Sequence, residues 1–289
     1  MNSRYWCRLL ALTAALIVLS GCKAVDGLSS LLPGATVENS KADNALIKTP
    51  FSIEKYPQNY MVVSNNKPVF EGALVRTVNR DLKEPSYITA TTDYSALDRA
   101  GRTQSVTAIV TYQSMMFHSS SVVSRPAFPE ETRVSGEYLH AKYTATKDSV
   151  EKGWHGGTNN NRIVQLTGYR GYLYNKSHLV AWSLNGDMQT HNVILGTRAQ
   201  NVGTNDIRNP GGMAYPETLT RNYLQAHQDE AVAYQAIPIY SRSERVPCGV
   251  HVIVQSLKDP NGLRLNLWIF NQQAGVKINY KTGQFRLER

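Results

Sequence analysis

Acidic residues are in short supply in this chain: 22 Asp and Glu stand against 31 Lys and Arg, a formal net charge of +9. That balance suits a polyanionic partner, such as nucleic acid, an anionic membrane surface or an acidic glycan. Cysteine is scarcer still, with three in 289 residues. Cys7 falls in an N-terminal leader and Cys22 at its cleavage site, so Cys248 is left alone and cannot form an intrachain disulfide. It reads as a small buried hydrophobe or an idle thiol. No pair has CxxC spacing, and nothing reads as a zinc finger, a base-reading helix or an RNA-stacking module. The apolar run of residues 9–19 is too short to span a bilayer as a stable anchor. No internal repeat is visible. What is plentiful is apolar material, 42% of the chain, enough for a sizeable core and too much for general disorder.

The first 22 residues have a basic start with Arg4 and Arg8, then the apolar run, then Ser20, Gly21 and Cys22. A basic stretch, an apolar stretch of this length and small residues at a cleavage site mark a secretory signal. The ending Leu19, Ser20, Gly21, Cys22 resembles the bacterial lipobox. That resemblance implies a signal over residues 1–21, lipidation of Cys22 and a membrane anchor. Export is then expected, to the outer membrane and periplasm or to the cell surface. Lys23, where Asp would retain a lipoprotein at the inner membrane, resembles an outer-membrane sorting signal. Removal of the leader takes away two arginines and no acid, so the mature chain stays basic, at +7. Residues 22–60 read as a tether and irregular entry. Residues 61–289 read as one domain.

Within that domain, residues 105–116 are β-branched and largely apolar, the composition of a strand. Residues 125–135 carry two prolines and residues 153–161 are rich in Gly and Asn, so both read as loops. Residues 169–174 suit a strand, and residues 178–184 begin a helix or continue a turn. Leu219, Tyr223 and Leu224 stand at near-helical spacing and predict a helix over 216–229. Residues 232–240 and 249–257 read as a strand pair, and residues 263–270 as another strand. The expected class is α+β, with a central antiparallel sheet flanked by helices.

The chemistry-bearing side chains crowd into residues 169–221. Asn192, Gln200, Asn201, Asn205 and Asn209 are hard oxygen donors of the kind that suit Mg²⁺ or Ca²⁺. His178 titrates near neutrality and can serve as a base. Lys176, Arg198, Arg208 and Arg221 provide the cations that a phosphodiester transition state requires. One metal, one His and several cations suffice for phosphodiester hydrolysis.

These residues, in this order, resemble the DNA/RNA non-specific endonucleases of the ββα-metal, or His-Me finger, superfamily, in particular the streptococcal secreted DNases and the DNA-entry nucleases. Asn175, Lys176, Ser177 and His178 resemble the N-R-S-H form of the family's histidine motif, with Lys where Arg is usual. Asn192 and Asn201 have the family's nine-residue spacing, and Glu217 precedes Arg221 by four, as on the finger helix. Leu97, Asp98, Gly101 and Arg102 resemble the segment before the first core strand, and Gly275 to Gly283 the C-terminal end. The resemblance implies His178 as general base, Asn201 as the ligand of one Mg²⁺ (Mn²⁺ or Ca²⁺ as substitutes) and Glu217 as a second metal contact or a partner of Arg221. It implies Asn192 as the residue that orients His178 or the finger loop, and Lys176 facing phosphate. Arg198 and Arg208 would bind nucleic acid, and products would carry 5′-phosphates. The implied partner is DNA, with RNA as a second substrate and no nucleotide cofactor. Oligomeric state is not legible. Phosphate contacts carry no base information, so low sequence specificity is expected. Trp154, His155 and Trp182 either stack on bases or pack in the core. The competing reading is a non-catalytic lipoprotein that binds nucleic acid at the surface.

Overall fold

Alternation along the strands decides where the core lies. In the segment Val106–Thr111, the side chains of Val106, Ala108 and Val110 go to one side, and Thr107 and Ile109 to the other, all nearly inaccessible. A strand buried on both faces sits inside a sheet covered on both sides. The computed structural model describes residues 41–72, 74–84, 88–119, 121–139, 142–143, 160–203 and 208–288. The leader, Cys22, Trp154, His155 and Asn205 lie outside them.

In chain order the elements are α1 (Lys41–Ile47), β1 (Tyr60–Val62), α2 (Val75–Asp81), β2 (Thr91–Tyr94), β3 (Val106–Thr111), α3 (Tyr112–Phe117), β4 (Tyr138–Leu139), β5 (Lys142–Tyr143), β6 (Ile163–Leu166), β7 (Tyr169–Tyr172) and β8 (Tyr174–His178). There follow β9 (Val193–Thr197), α4 (Arg198–Val202), α5 (Ala214–Ala226), β10 (Ala231–Ile239), β11 (Gly249–Ser256), β12 (Arg264–Phe270), β13 (Val276–Ile278) and β14 (Phe285–Leu287). Strands β1-β12-β11-β10-β3-β2 form one six-stranded sheet, antiparallel at every step. The expected α+β class with a central antiparallel sheet is what the chain adopts.

One face of this sheet carries Val110, Tyr234, Val252 and Leu267, packed against Leu179, Leu184 and Ile194 of the β8–β9 unit and Leu224 of α5. On the other face lie α2, through Val78 on Ile109 and Ala233, and α1, through Leu46 on Trp268 and Phe270. A second cluster, with Leu173, Tyr174, Val193 and Leu195 at its centre, fills the far side of the β8–β9 hairpin. The hairpin is thus gripped between two apolar cores, which fixes where its polar residues point.

The local differences from the sequence reading have physical causes. The strand expected over 105–116 stops at Thr111, because Thr111 and Ser114 form a reciprocal capping box that starts α3. The segment 169–174 splits at the inaccessible Leu173 into β7, paired with β6, and β8, paired with β9. His178 ends a strand rather than beginning a helix; the helical turn there is a 3-10 turn, Trp182–Leu184, closed by Asn185 at φ 72°. The expected helix over 216–229 runs Ala214–Ala226. The tether assigned to residues 22–60 does not hold for residues 41–60. Residues 41–47 are helical, with Leu46 in the core and Asp43 3.3 Å from the Nδ1 of His251. Those contacts are long-range, and composition does not reveal them.

Candidate active site

Strand β8 delivers its residues to two sides. Asn175 and Ser177 face α4, where the Asn201 amide lies: Ser177 Oγ donates to Asn201 Oδ1 at 3.1 Å, and Asn201 Nδ2 donates to Asn175 Oδ1 at 3.2 Å. Both neighbours therefore fix the amide's orientation, with Oδ1 keeping a second lone pair. The start of β8 is itself pinned by Asn161, whose side chain bonds both the N–H and the carbonyl of Tyr174 at 2.8 Å.

Lys176 and His178 go to the opposite side. The His178 ring is 8% exposed and stacks on Phe128 at 5.2 Å. Its Nε2 lies 3.2 Å from the Met188 sulfur. A thioether can only accept, so Nε2 carries the hydrogen in the neutral ring and Nδ1 keeps the basic lone pair. Burial, aided by the Arg125 charge, lowers the imidazole from its usual 6.5 to about 4, against a weaker pull from Asp187. The ring is neutral at physiological pH, as a base must be.

Lys176 lines the cleft and is also tied into the fold. Its Nζ donates to the Thr132 carbonyl at 2.6 Å and lies 5.7 Å from the centroid of the Phe128 ring. Burial lowers its pKa and raises that of Glu137 to about 7; desolvation outweighs the attraction between the two. Thr132 Oγ1 also donates to the Met188 carbonyl at 2.8 Å. Lys176 and Met188 are thus tied to the same loop that supplies Phe128, and that loop walls in His178.

Asn192 is inaccessible and works as a clamp. Its Oδ1 accepts from Val180 N at 3.0 Å, and its Nδ2 donates to the carbonyls of Val180 (2.9 Å) and Asp187 (2.8 Å). Of its two expected roles it performs the second: it shapes the finger loop and makes no side-chain bond to His178.

A cleft of about 490 Å³ brings Lys176, His178, Asn201, Glu217 and Arg221 to one place. Glu217 comes from the first turn of α5, an electrostatically favourable place for a carboxylate. Its carboxylate has neither hydrogen bond nor ion pair among the described residues, and burial raises it to about 7 against the pull of Arg221 and Arg125. The expected Glu217–Arg221 pair is not formed, because Arg221 donates to Ser183 Oγ at 3.1 Å and Thr218 Oγ1 at 2.9 Å. Arg198 and Arg208 do not line this cleft, and Arg208 is exposed next to residues outside the description. Arg125 takes their place at its edge. Sequence reading passed over Arg125 as part of a proline-bearing loop, and no local signal marked it.

A hairpin whose first strand ends on a recessed histidine, followed by a short helix presenting an asparagine, defines a ββα finger of the His-Me class. A sequence model of the DNA/RNA non-specific endonuclease family matches residues 74–288, and the chain belongs to that family. It is 36% identical over 129 residues to a deoxyribonuclease of Streptococcus dysgalactiae subsp. equisimilis; the match covers 43% of this chain and 38% of that protein. Among solved structures it resembles Sda1 nuclease with bound zinc ion, at TM-score 0.62 and 27% identity over 82% of this chain and 99% of that one. NucA from Streptococcus agalactiae with magnesium ion bound shares the fold, at TM-score 0.51 and 18% identity over 82% of this chain and 94% of the other.

Proposed function

We propose that the protein is a metal-dependent, non-specific endonuclease that hydrolyses DNA, with RNA as a second substrate. The observation that carries the proposal is a neutral, oriented His178 in the same cleft as Asn201 and a Glu217 carboxylate that has no partner among the described residues. An unpaired half-buried carboxylate is costly, and a cation relieves that cost. The donor set, one amide oxygen and one carboxylate, suits a hard ion such as Mg²⁺ that keeps most of its waters. The magnesium and zinc ions held by the two related nucleases support a divalent metal here. Asn201 and Glu217 would hold it, and it would supply charge neutralisation at the scissile phosphate.

The chain's own residues divide the remaining work. Nδ1 of His178 takes the proton from a water whose oxygen attacks phosphorus. As the bond from phosphorus to the 3′ oxygen breaks, that oxygen takes a proton from solvent and leaves as a 3′ hydroxyl, and the phosphate stays on the 5′ end. Arg221 and Arg125 offset the growing negative charge. Asn175 and Ser177 keep the Asn201 amide aimed. The test is nicking of supercoiled plasmid. Cleavage is expected with Mg²⁺ and none with chelator, and Glu217→Gln should raise the Mg²⁺ concentration needed for half-maximal rate by about tenfold or more. Binding without any cleavage under added Mg²⁺ or Mn²⁺ would leave the non-catalytic reading in its place.

We also propose that the mature chain begins at a lipidated Cys22 and works outside the cytoplasm, where it cannot reach the chromosome. The basic start, apolar run and Leu-Ser-Gly-Cys ending support this. A Cys22→Ser chain is then expected in the soluble fraction of the producing cells, and unchanged membrane recovery would refute the anchor.

A further inference from the structure

Phosphate chemistry explains only half of the cleft. Its other half is built from Met115, Met116, Val123, Ala181 and Trp182, none of which carries a charge. Most of this wall comes from α3 and the 3-10 turn Trp182–Leu184, two elements packed together. His118 stands against Trp182 edge to face, with ring centroids 4.4 Å apart and planes at 84°. The His118 ring is held in place from below, Nδ1–H donating to the Ser114 carbonyl at 3.1 Å. A fixed aromatic pair and thioether-bearing side chains thus sit beside the groups that would handle the phosphate. A volume of about 490 Å³ is far more than a phosphate needs and is in the range of small-molecule pockets.

We propose that this wall is a nucleobase subsite: Trp182 and His118, with Met116 beside them, receive an unpaired base next to the scissile phosphate. The proposal rests on the nuclease reading above and narrows its substrate to strands whose bases are free to leave the stack. A phosphate-binding pole with Arg125 and Arg221 and an apolar aromatic pole in one cleft match the two ends of a nucleotide. Every base has a π-face, so such a subsite favours unpaired strands while staying indifferent to sequence. A base inside a duplex is covered by its neighbours and must be unstacked before it can enter. The recessed position of His178, 8% exposed, points the same way, because a phosphate must be brought down into the cleft to meet it.

The experiment uses the full-length protein with Mg²⁺ and single-stranded 12-mers in which one nucleotide is replaced by an abasic residue. Cleavage at the linkages flanking the abasic position is compared with the same linkages in the intact strand and in its duplex. The expected result is roughly a fivefold or greater loss of kcat/KM at one flanking linkage, carried by KM, and slower cleavage of the duplex. In Trp182→Ala the ratio of intact to abasic cleavage should fall towards one. If that variant does not fold, His118→Ala should move the ratio the same way. Equal cleavage of abasic and intact linkages by the wild-type chain overturns the subsite, as does a variant that keeps the full ratio. No cleavage of any strand would instead sink the nuclease reading, so the two failures are distinguishable.

Discussion

Replacing His178 by Ala should lower kcat for DNA cleavage by about a thousandfold, within the range of ~10²–10⁴ contributed by a positioned general base. Affinity for DNA, measured by a salt-controlled binding assay, should change by less than about twofold, because electrostatic contacts dominate non-specific binding and Arg221 and Arg125 remain. Three features orient the ring for this role: its stack on Phe128, its Nε2 against Met188 and its nearly complete burial. Burial also sets the pH dependence. With the imidazole lowered to about 4, the base stays unprotonated well below the usual 6.5, so kcat at saturating Mg²⁺ should hold nearly level from pH 7 to about 5. This residue's contribution to stability is complete above pH 6.5 and declines as pH falls toward 4, where the unfolded chain takes up a proton that the folded ring resists. His178→Gln, closer in volume, guards against a mere packing loss. Substantial cleavage by either variant would remove His178 from the role of base.

Asn192→Ala should be the most destabilising single change near the site. Three hydrogen bonds from an inaccessible side chain disappear, and the Val180 N–H and the carbonyls of Val180 and Asp187 lose that partner. At about 1 kcal/mol per bond, and up to ~3 kcal/mol for each buried group left unpaired, the loss is on the order of 3–5 kcal/mol. For a domain of this size that corresponds to a fall in Tm of roughly 10 °C. Calorimetry on the wild type and the variant decides it, and a shift of a degree or less would mean that the clamp is dispensable. Activity should fall as well, because the lost bond from the Val180 N–H to the Asn192 side chain holds the backbone two residues after His178.

The helices show how far local reading reaches. Helix α5 was legible because Leu219, Tyr223 and Leu224 repeat at helical spacing, and only its ends moved. Helix α1 was not, because it is held by contacts to Trp268, Phe270 and His251 more than two hundred residues away. Helix α3 lay hidden in a β-branched run, although the Thr111–Ser114 spacing was an available capping signal.

At the site, sequence by itself determined the set His178, Asn201, Glu217 and Arg221, because motif order and spacing survive without coordinates. It also determined the basic charge, a formal +9. Tertiary structure decided which groups are occupied. Lys176, the expected phosphate ligand, is bound to the Thr132 carbonyl, Arg221 is bound to Ser183 and Thr218, and Asn192 is turned inward as a clamp. It brought Arg125 to the cleft from a loop with no signal, and it placed an aromatic wall in the same cleft as His178 and Asn201. The physical reason is the same throughout. Residue type fixes what a side chain can donate or accept, but only the packing of distant segments fixes which partner takes it and which lone pair is left over.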